Sequence, residues 1–256
     1  MTFPLHAFVA TLLLLCGLMS TPAMAGEISV AVASNFAAPM ERLVPLFQKE
    51  SGHTVKVSLG ASSKLYAQIR GGAAFDVFLS ADEEFPKRLL QEGSAVGGSR
   101  FVYATGRLVL WSAQPNLVDD NGAVLNKGNF SALAIANPLS SPYGVAAKET
   151  LTKLIMWNSI QDKLTRGDTV AQTYQLAATE KADLAFIALS QVMRDGKVTQ
   201  GSWWIVPPEL HKPIRQSAVL LSLAKDPVAA KAFLAFLQSE KARAVMRGFG
   251  YEFPRD

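Results

Sequence analysis

VAVASNFAAPMERLVPLF, residues 30–47, reads as a strand that ends on Ser34 and Asn35 and passes at once into an amphipathic helix. Period-2, β-branched spacing gives way there to apolar residues three and four apart. The pattern continues outward from this corner. EISVAVAS (27–34) is a strand, APMERLVPLFQKESG (38–52) a helix stopped by Gly52, and HTVKVSLG (53–60) a strand. SSKLYAQIRGG (62–72) is a helix closed by a glycine pair, FDVFLSAD (75–82) a strand, and EEFPKRLLQEG (83–93) a helix ending at Gly93. This βαβαβα order makes the chain an α/β protein with a mostly parallel sheet and helices on both faces.

Beyond residue 100 the style persists. RLVLWSA (107–113), SALAIANP (131–138) and DLAFIALS (183–190) read as strands. GVAAKETLTKLIMW (144–157) and TVAQTYQLAATEKA (169–182) read as helices, and the helical VAAKAFLAFLQSEKARAVMRGFG (228–250) closes the chain. No internal repeat or low-complexity stretch interrupts it. Two extended segments, Tyr103–Leu110 and Arg215–Leu221, are candidate crossings between two lobes. Lobe I then takes residues 26–105 plus 217–256, and lobe II residues 106–216.

The first 25 residues hold no Asp, Glu, Lys or Arg. Their apolar run from Phe8 to Met19 closes on Ala23-Met24-Ala25, the small-x-small pattern of a cleaved export signal. A mature chain starting near Gly26 and located in the periplasm is expected. The run is shorter than the roughly 18 apolar residues of a membrane span. Cys16, the single cysteine, falls inside this leader, so a disulfide or a thiolate nucleophile is excluded from the mature chain. LLLLCG lacks the small residues of a lipoprotein box, and a cleaved leader is the preferred reading over lipidation at Cys16. The net charge of +4 is scattered, without the basic stripe that tracks a nucleic-acid backbone.

Four junctions share one chemistry. Ser34-Asn35, Ser62-Ser63, Ser141-Pro142-Tyr143-Gly144 and Asp168-Thr169-Val170 each deliver small polar residues to a helix start. Unpaired N–H groups and the positive end of the helix dipole attract an anion there. The bland alternative is that these residues are N-caps without a ligand, and Asp168 in particular reads as a cap pointing away from any anion. In open α/β sheets ligands gather at the carboxyl ends of strands, where the first two corners belong.

AVASNFAAPMERL (31–43), LGASSKLYAQIRGGAAFDVFLSAD (59–82), NPLSSPYGVAAKETL (137–151), DTVAQTYQLAATEKADLAFIALSQV (168–192) and AKAFLAFLQSEKARAVMRGFGYEFP (230–254) together resemble the periplasmic molybdate-binding proteins of ABC-type importers. The resemblance spans essentially the whole mature chain in the family's order. It implies a two-lobed periplasmic binding protein fold of type II, each lobe a mixed, mostly parallel sheet flanked by helices, with the ligand in the interlobe cleft. It implies molybdate or tungstate as ligand, so molybdenum enters only as the bound oxyanion and there is no cofactor. Its partner would be a membrane permease, and a monomer is expected. Carried over by motif, the donors are Ser34 and Asn35, Ser62, Tyr143 through its backbone and Val170 through its backbone N–H. Many relatives have a tyrosine where this chain has Ala188, and often alanine where it has Tyr143. Asn35 is expected to supply the donor that Ala188 lacks.

Neutral donors suit such a site. Hydrogen bonds to a charged partner are worth about 1.5–3 kcal/mol each, so a converging set holds a dianion without a countercharge. A fixed ring then selects by radius, and a donor-only ring leaves the proton of hydrogen phosphate unpaired. Catalysis is disfavoured: the mature chain has only His53 and His211, the serines of ASSKL (61–65) do not stand at the S-x-x-K spacing from Lys64, and no G-x-S-x-G occurs. The same fold with sulfate, phosphate or an organic sulfonate is the nearer alternative. A ferric site would need clustered tyrosines, and a regulator's effector lobe would need a helix-turn-helix. Trp203-Trp204 reads as part of a strand.

Overall fold

The computed structural model describes residues 25–253, so all of the expected leader but Ala25, Cys16 included, lies outside the described residues. The chain runs β1 (Glu27–Ala33), α1 (Ala37–Ser51), β2 (Thr54–Gly60), α2 (Ser62–Arg70), β3 (Val77–Leu79), α3 (Glu84–Gln91), β4 (Phe101–Gly106) and β5 (Leu108–Ser112). It continues with α4 (Val124–Lys127), β6 (Leu133–Ala136), α5 (Pro142–Lys153), β7 (Leu164–Gly167), α6 (Val170–Ala178), β8 (Leu184–Ala188), β9 (Met193–Arg194), β10 (Lys197–Val198) and β11 (Ser202–Ile205). β12 (Ile214–Leu220), α7 (Pro227–Leu237) and α8 (Glu240–Gly248) complete it. Gly52 ends α1 in the left-handed region, φ 74°, which a residue without Cβ adopts freely.

Two five-stranded sheets carry the fold, and they share one plan. The first is ordered β2-β1-β3-β12-β4; the second, read from its far edge, is β7-β6-β8-β5-β11. In each, three strands pair in parallel, a reversed strand follows, and the last strand pairs antiparallel to the reversed one. The expected mixed, mostly parallel sheets are therefore present, and the reversed strand in each is the first one laid down after the chain changes sheets.

The chain leaves the first sheet at Gly106 and enters the second at Leu108; it leaves the second after Ile205 and rejoins the first at Ile214. Arg215–Leu221, expected as a crossing, thus lies almost wholly in a strand of the first sheet. The return passes earlier, through the proline-rich segment 206–213. β7 and the single turn of α4, each four residues long, are not among the elements read from the sequence.

Period-2 alternation builds two cores on the first sheet. Val30, Val32, Val77, Leu79, Ala218 and Leu220 face α1, α7 and α8 with Phe36, Phe47 and Phe233. Their neighbours Ala31, Phe78 and Val219 face α2 and α3 with Leu65, Ile69 and Leu89. The second sheet is buried among Trp111, Ile135, Tyr143, Leu151 and Phe186, with α5 and α6 packed on its strands. Trp203 and Trp204 pair with Trp111 and Leu110 in β11, as expected of a strand.

Candidate oxyanion site between the lobes

Three of the four helix starts singled out in the sequence carry no side-chain cap. A short 3-10 turn, Ser34–Phe36, begins after Ala33 and has none; α2 begins after Ala61 and has none; α5 begins after Ser141, whose hydroxyl does not cap it. The N-cap reading therefore fails for Ser34, Asn35, Ser62 and Ser63. Only α6 is capped, and by Thr169 rather than Asp168, the Thr169 hydroxyl accepting from the Gln172 N–H at 3.1 Å. Elsewhere Asp226 caps α7 and Ser239 caps α8, while α3 and α4 start without a side-chain cap.

The four corners converge. The Ser63 N–H reaches the Ser140 carbonyl at 3.4 Å, linking the starts of α2 and α5. Ser140 Oγ donates to the Asp168 carbonyl at 3.2 Å, linking α5 to α6. Lys64 Nζ meets Asp168 Oδ2 at 2.8 Å, linking α2 to α6. Ser190 Oγ donates to the Asn35 carbonyl at 2.8 Å, tying the first corner to the end of β8. Ser34, Asn35, Ser62, Tyr143 and Val170 are all buried. Each is neutral, and in the first turn of a helix the N–H groups have no partner within the helix.

Ser62 is held by its neighbour strand. Its Oγ accepts from the Ala81 N–H at 3.1 Å, just past β3, which leaves the hydroxyl hydrogen to be donated elsewhere. Tyr143 and Val170 sit in the first turns of α5 and α6. Val170 is fixed through its carbonyl by Gln191 Nε2 at 3.1 Å, while Gln191 Oε1 receives the Ala188 N–H at 2.9 Å. Gly144 lets α5 begin hard against β6: a Cβ there would lie 2.2 Å from the Ala136 carbonyl oxygen.

A buried polar cluster lies behind these corners, and sequence reading missed most of it. Asn35 Nδ2 donates to Gln216 Oε1 at 2.9 Å and to the Tyr251 hydroxyl at 2.8 Å. Both amide hydrogens are thereby engaged within the protein, and the donor that Asn35 can present to an anion is its backbone N–H. Gln216 Oε1 also accepts from Tyr103 at 2.8 Å, and Gln216 Nε2 donates to the Tyr143 hydroxyl at 3.1 Å. Burial raises Tyr103 and Tyr143 well above the usual tyrosine range and Tyr251 to about 12, so all three stay neutral donors at physiological pH. Gln216 lies in a plain strand sequence, PIRQSAVLL, where nothing but a polar residue at a buried position marks it.

A groove of about 310 Å³ beside the corners is lined by Asp82, Glu83, Ser141, Pro142, Lys212 and Arg215 among others, but by none of the five expected site residues. Of its charged residues, Glu83 pairs with Arg215 and, outside the groove, with Arg100. His53 and His211 are buried apart from the corners, His53 accepting from the Gly26 N–H and His211 beside the Lys212 carbonyl.

Comparison with known proteins gives this geometry its context. Residues 28–252 match the family described as bacterial extracellular solute-binding protein. The molybdate-binding protein ModA of Azotobacter vinelandii is 49% identical over 251 residues, covering 98% of this chain and 99% of that protein. Its counterpart in Rhodobacter capsulatus is 47% identical, covering 96% of each. The solved Azotobacter vinelandii periplasmic molybdate-binding protein superposes with a TM-score of 0.87 at 39% identity, over 89% of this chain and all of that one. The sulfate-binding protein SubI of Mycobacterium tuberculosis, at 15% identity and a TM-score of 0.74, shares the fold. The chain belongs to the bacterial extracellular solute-binding proteins, alongside the molybdate-binding proteins of Azotobacter and Rhodobacter.

Proposed function

We propose that this protein captures molybdate, and tungstate with it, in the cleft between its lobes and delivers the anion to the permease of an ABC importer. One observation carries the reading: three helix starts without a side-chain cap meet in one buried place, tied to one another by the Ser63–Ser140 and Ser190–Asn35 hydrogen bonds. Backbone N–H groups left without a side-chain cap are what a desolvated dianion requires. The donors are Ser34 and Asn35 at the first corner, the Ser62 hydroxyl at the second, and the N–H groups of Tyr143 and Val170 on the opposite lobe. Among the described residues, one lobe comprises 26–105 plus 214–253, its returning edge at Ile214 rather than residue 217, and the other lobe the segment between.

Binding proceeds by closure. An anion held by one lobe meets only that lobe's donors, and the others arrive when Ser63 meets Ser140 and Ser190 meets Asn35. The ring is neutral, so it selects by radius: the larger molybdate and tungstate reach every donor at once and sulfate does not. The protein performs no chemistry on its cargo. It works as a monomer in the periplasm, where residues 1–25 direct it as a cleaved signal, and it has no nucleic-acid partner.

Calorimetric titration of the purified, anion-stripped protein tests this. Molybdate and tungstate binding at micromolar affinity or tighter, about −8 kcal/mol, with no heat from sulfate or phosphate is the expected result. Silence with molybdate and a clear isotherm with sulfate overturns the ligand.

A further inference from the structure

Gln216 is fully buried in β12, the strand that brings the chain back into the first sheet. The β12–β4 register breaks between Gln216 and Ser217. An irregularity of this kind in a ladder re-aims a side chain, and here it accompanies an amide directed into the floor of the cleft. The amide touches both lobes. Its oxygen accepts from Asn35 and Tyr103 of the first lobe, and its nitrogen donates to the Tyr143 hydroxyl of the second. Gly106, at the crossing, makes the room: a Cβ there would fall 2.1 Å from the Tyr143 hydroxyl and 2.5 Å from Gln216 Nε2.

We propose that Gln216 is a positioning residue that fixes the distance between the Asn35 corner and the Tyr143 corner, and so sets which oxyanion radius the site accepts. The inference rests on the proposed anion site. Direction in the network supports it. Asn35 uses both amide hydrogens on Gln216 and Tyr251, and its carbonyl accepts from Tyr251 and Ser190 at 3.0 and 2.8 Å. Asn35 is thus held through its side chain and through its own carbonyl, and Gln216, besides accepting from Asn35, donates to the Tyr143 hydroxyl of the second lobe. Removing the amide leaves a donor on Asn35 and an acceptor on Tyr143 without their shared partner, and the spacing of the corners relaxes.

The test is a double-variant cycle read by ligand binding. Gln216→Met keeps length and apolar volume, Tyr143→Phe removes only the hydroxyl, and the two are combined. Molybdate affinity and displacement of molybdate by sulfate are measured on each, with the melting temperature of the ligand-free protein alongside. Each single variant is expected to weaken molybdate by about tenfold and to narrow the preference for molybdate over sulfate, and the double variant to lose no more than the worse single. Additive losses, or equal weakening of molybdate and sulfate, mean that Gln216 only supports the fold and overturn the proposal, as does a Gln216→Met protein with wild-type affinity and preference. Should Gln216→Met fail to fold, Tyr143→Phe alone decides, because an unchanged preference in that variant is equally fatal. A wild-type protein indifferent to molybdate overturns the site itself, an outcome distinct from all of these.

Discussion

Lys64 and Asp168 close on each other across the cleft, Nζ to Oδ2 at 2.8 Å, from the first turn of α2 on one lobe to the residue before the Thr169 cap on the other. Both side chains are more than half exposed. Such a pair contributes about 0.2–1 kcal/mol and is screened by salt. It acts only when the lobes meet, so its effect belongs to ligand release. Lys64→Ala is expected to speed molybdate dissociation by roughly two- to fivefold at low ionic strength, with the difference fading in high salt. Stopped-flow tryptophan fluorescence follows this, and equal release rates at low salt reject the latch.

Ser62 stands between Ala81 and the cleft. In Ser62→Ala the Ala81 N–H loses its acceptor and the site loses one hydroxyl donor. A hydrogen bond to a charged partner is worth about 1.5–3 kcal/mol, so molybdate affinity should fall by about ten- to a hundredfold. The ligand-free melting temperature should drop only slightly. A calorimetric affinity within twofold of wild type removes Ser62 from the donor set.

Much of this was legible in the sequence. The alternation of Val30, Ala31 and Val32 fixed which residues face which core, and the glycine stops fixed the helices that follow. The corners were visible because four helix starts share the same small polar residues, although such residues are common at helix starts. What periodicity does not report is whether a polar residue at a helix start caps it, since a cap and a ligand donor use the same residue types. Only geometry shows Ser62 turned to Ala81 and Thr169 doing the capping expected of Asp168. Gln216, Tyr251 and Ser190 escaped for another reason. Their partners lie 61 to 216 residues away along the chain, beyond any local pattern.

Asp82 lies at the start of α3, and burial pushes its carboxyl up to about 6 against the opposing hydrogen bonds of the Phe85 and Glu84 N–H groups. The ordinary value is near 3.9. A raised carboxyl means that the folded chain holds the proton more tightly than the unfolded one. Its contribution is therefore most favourable below about pH 4 and is lost as pH rises through about 6. Two units correspond to about 3 kcal/mol as an upper bound. Asp82→Asn should flatten the pH dependence of urea stability across this window and leave the protein at least as stable as wild type at pH 7. Parallel curves for the two proteins across pH 4–7 defeat the assignment.

Gly144 joins the packing of lobe II to the site. It occupies the third position of α5, directly after Tyr143, and a Cβ there would meet the Ala136 carbonyl oxygen at 2.2 Å and the Ala136 and Asn137 carbonyl carbons at 2.8 Å. These are backbone atoms at the end of β6, so no rotamer change relieves the clash. The first turn of α5 must lift away from the sheet, and overpacking of this kind costs about 1–3 kcal/mol. Lifting the turn also moves the Tyr143 N–H out of register with the Asn35 corner. Gly144→Ala should therefore weaken molybdate by more than its loss of stability accounts for, with affinity still reduced at temperatures where the variant is fully folded. Wild-type affinity in a destabilised Gly144→Ala protein would show that the α5 start does not contact the anion, and the second lobe's share of the site would have to come from α6 alone.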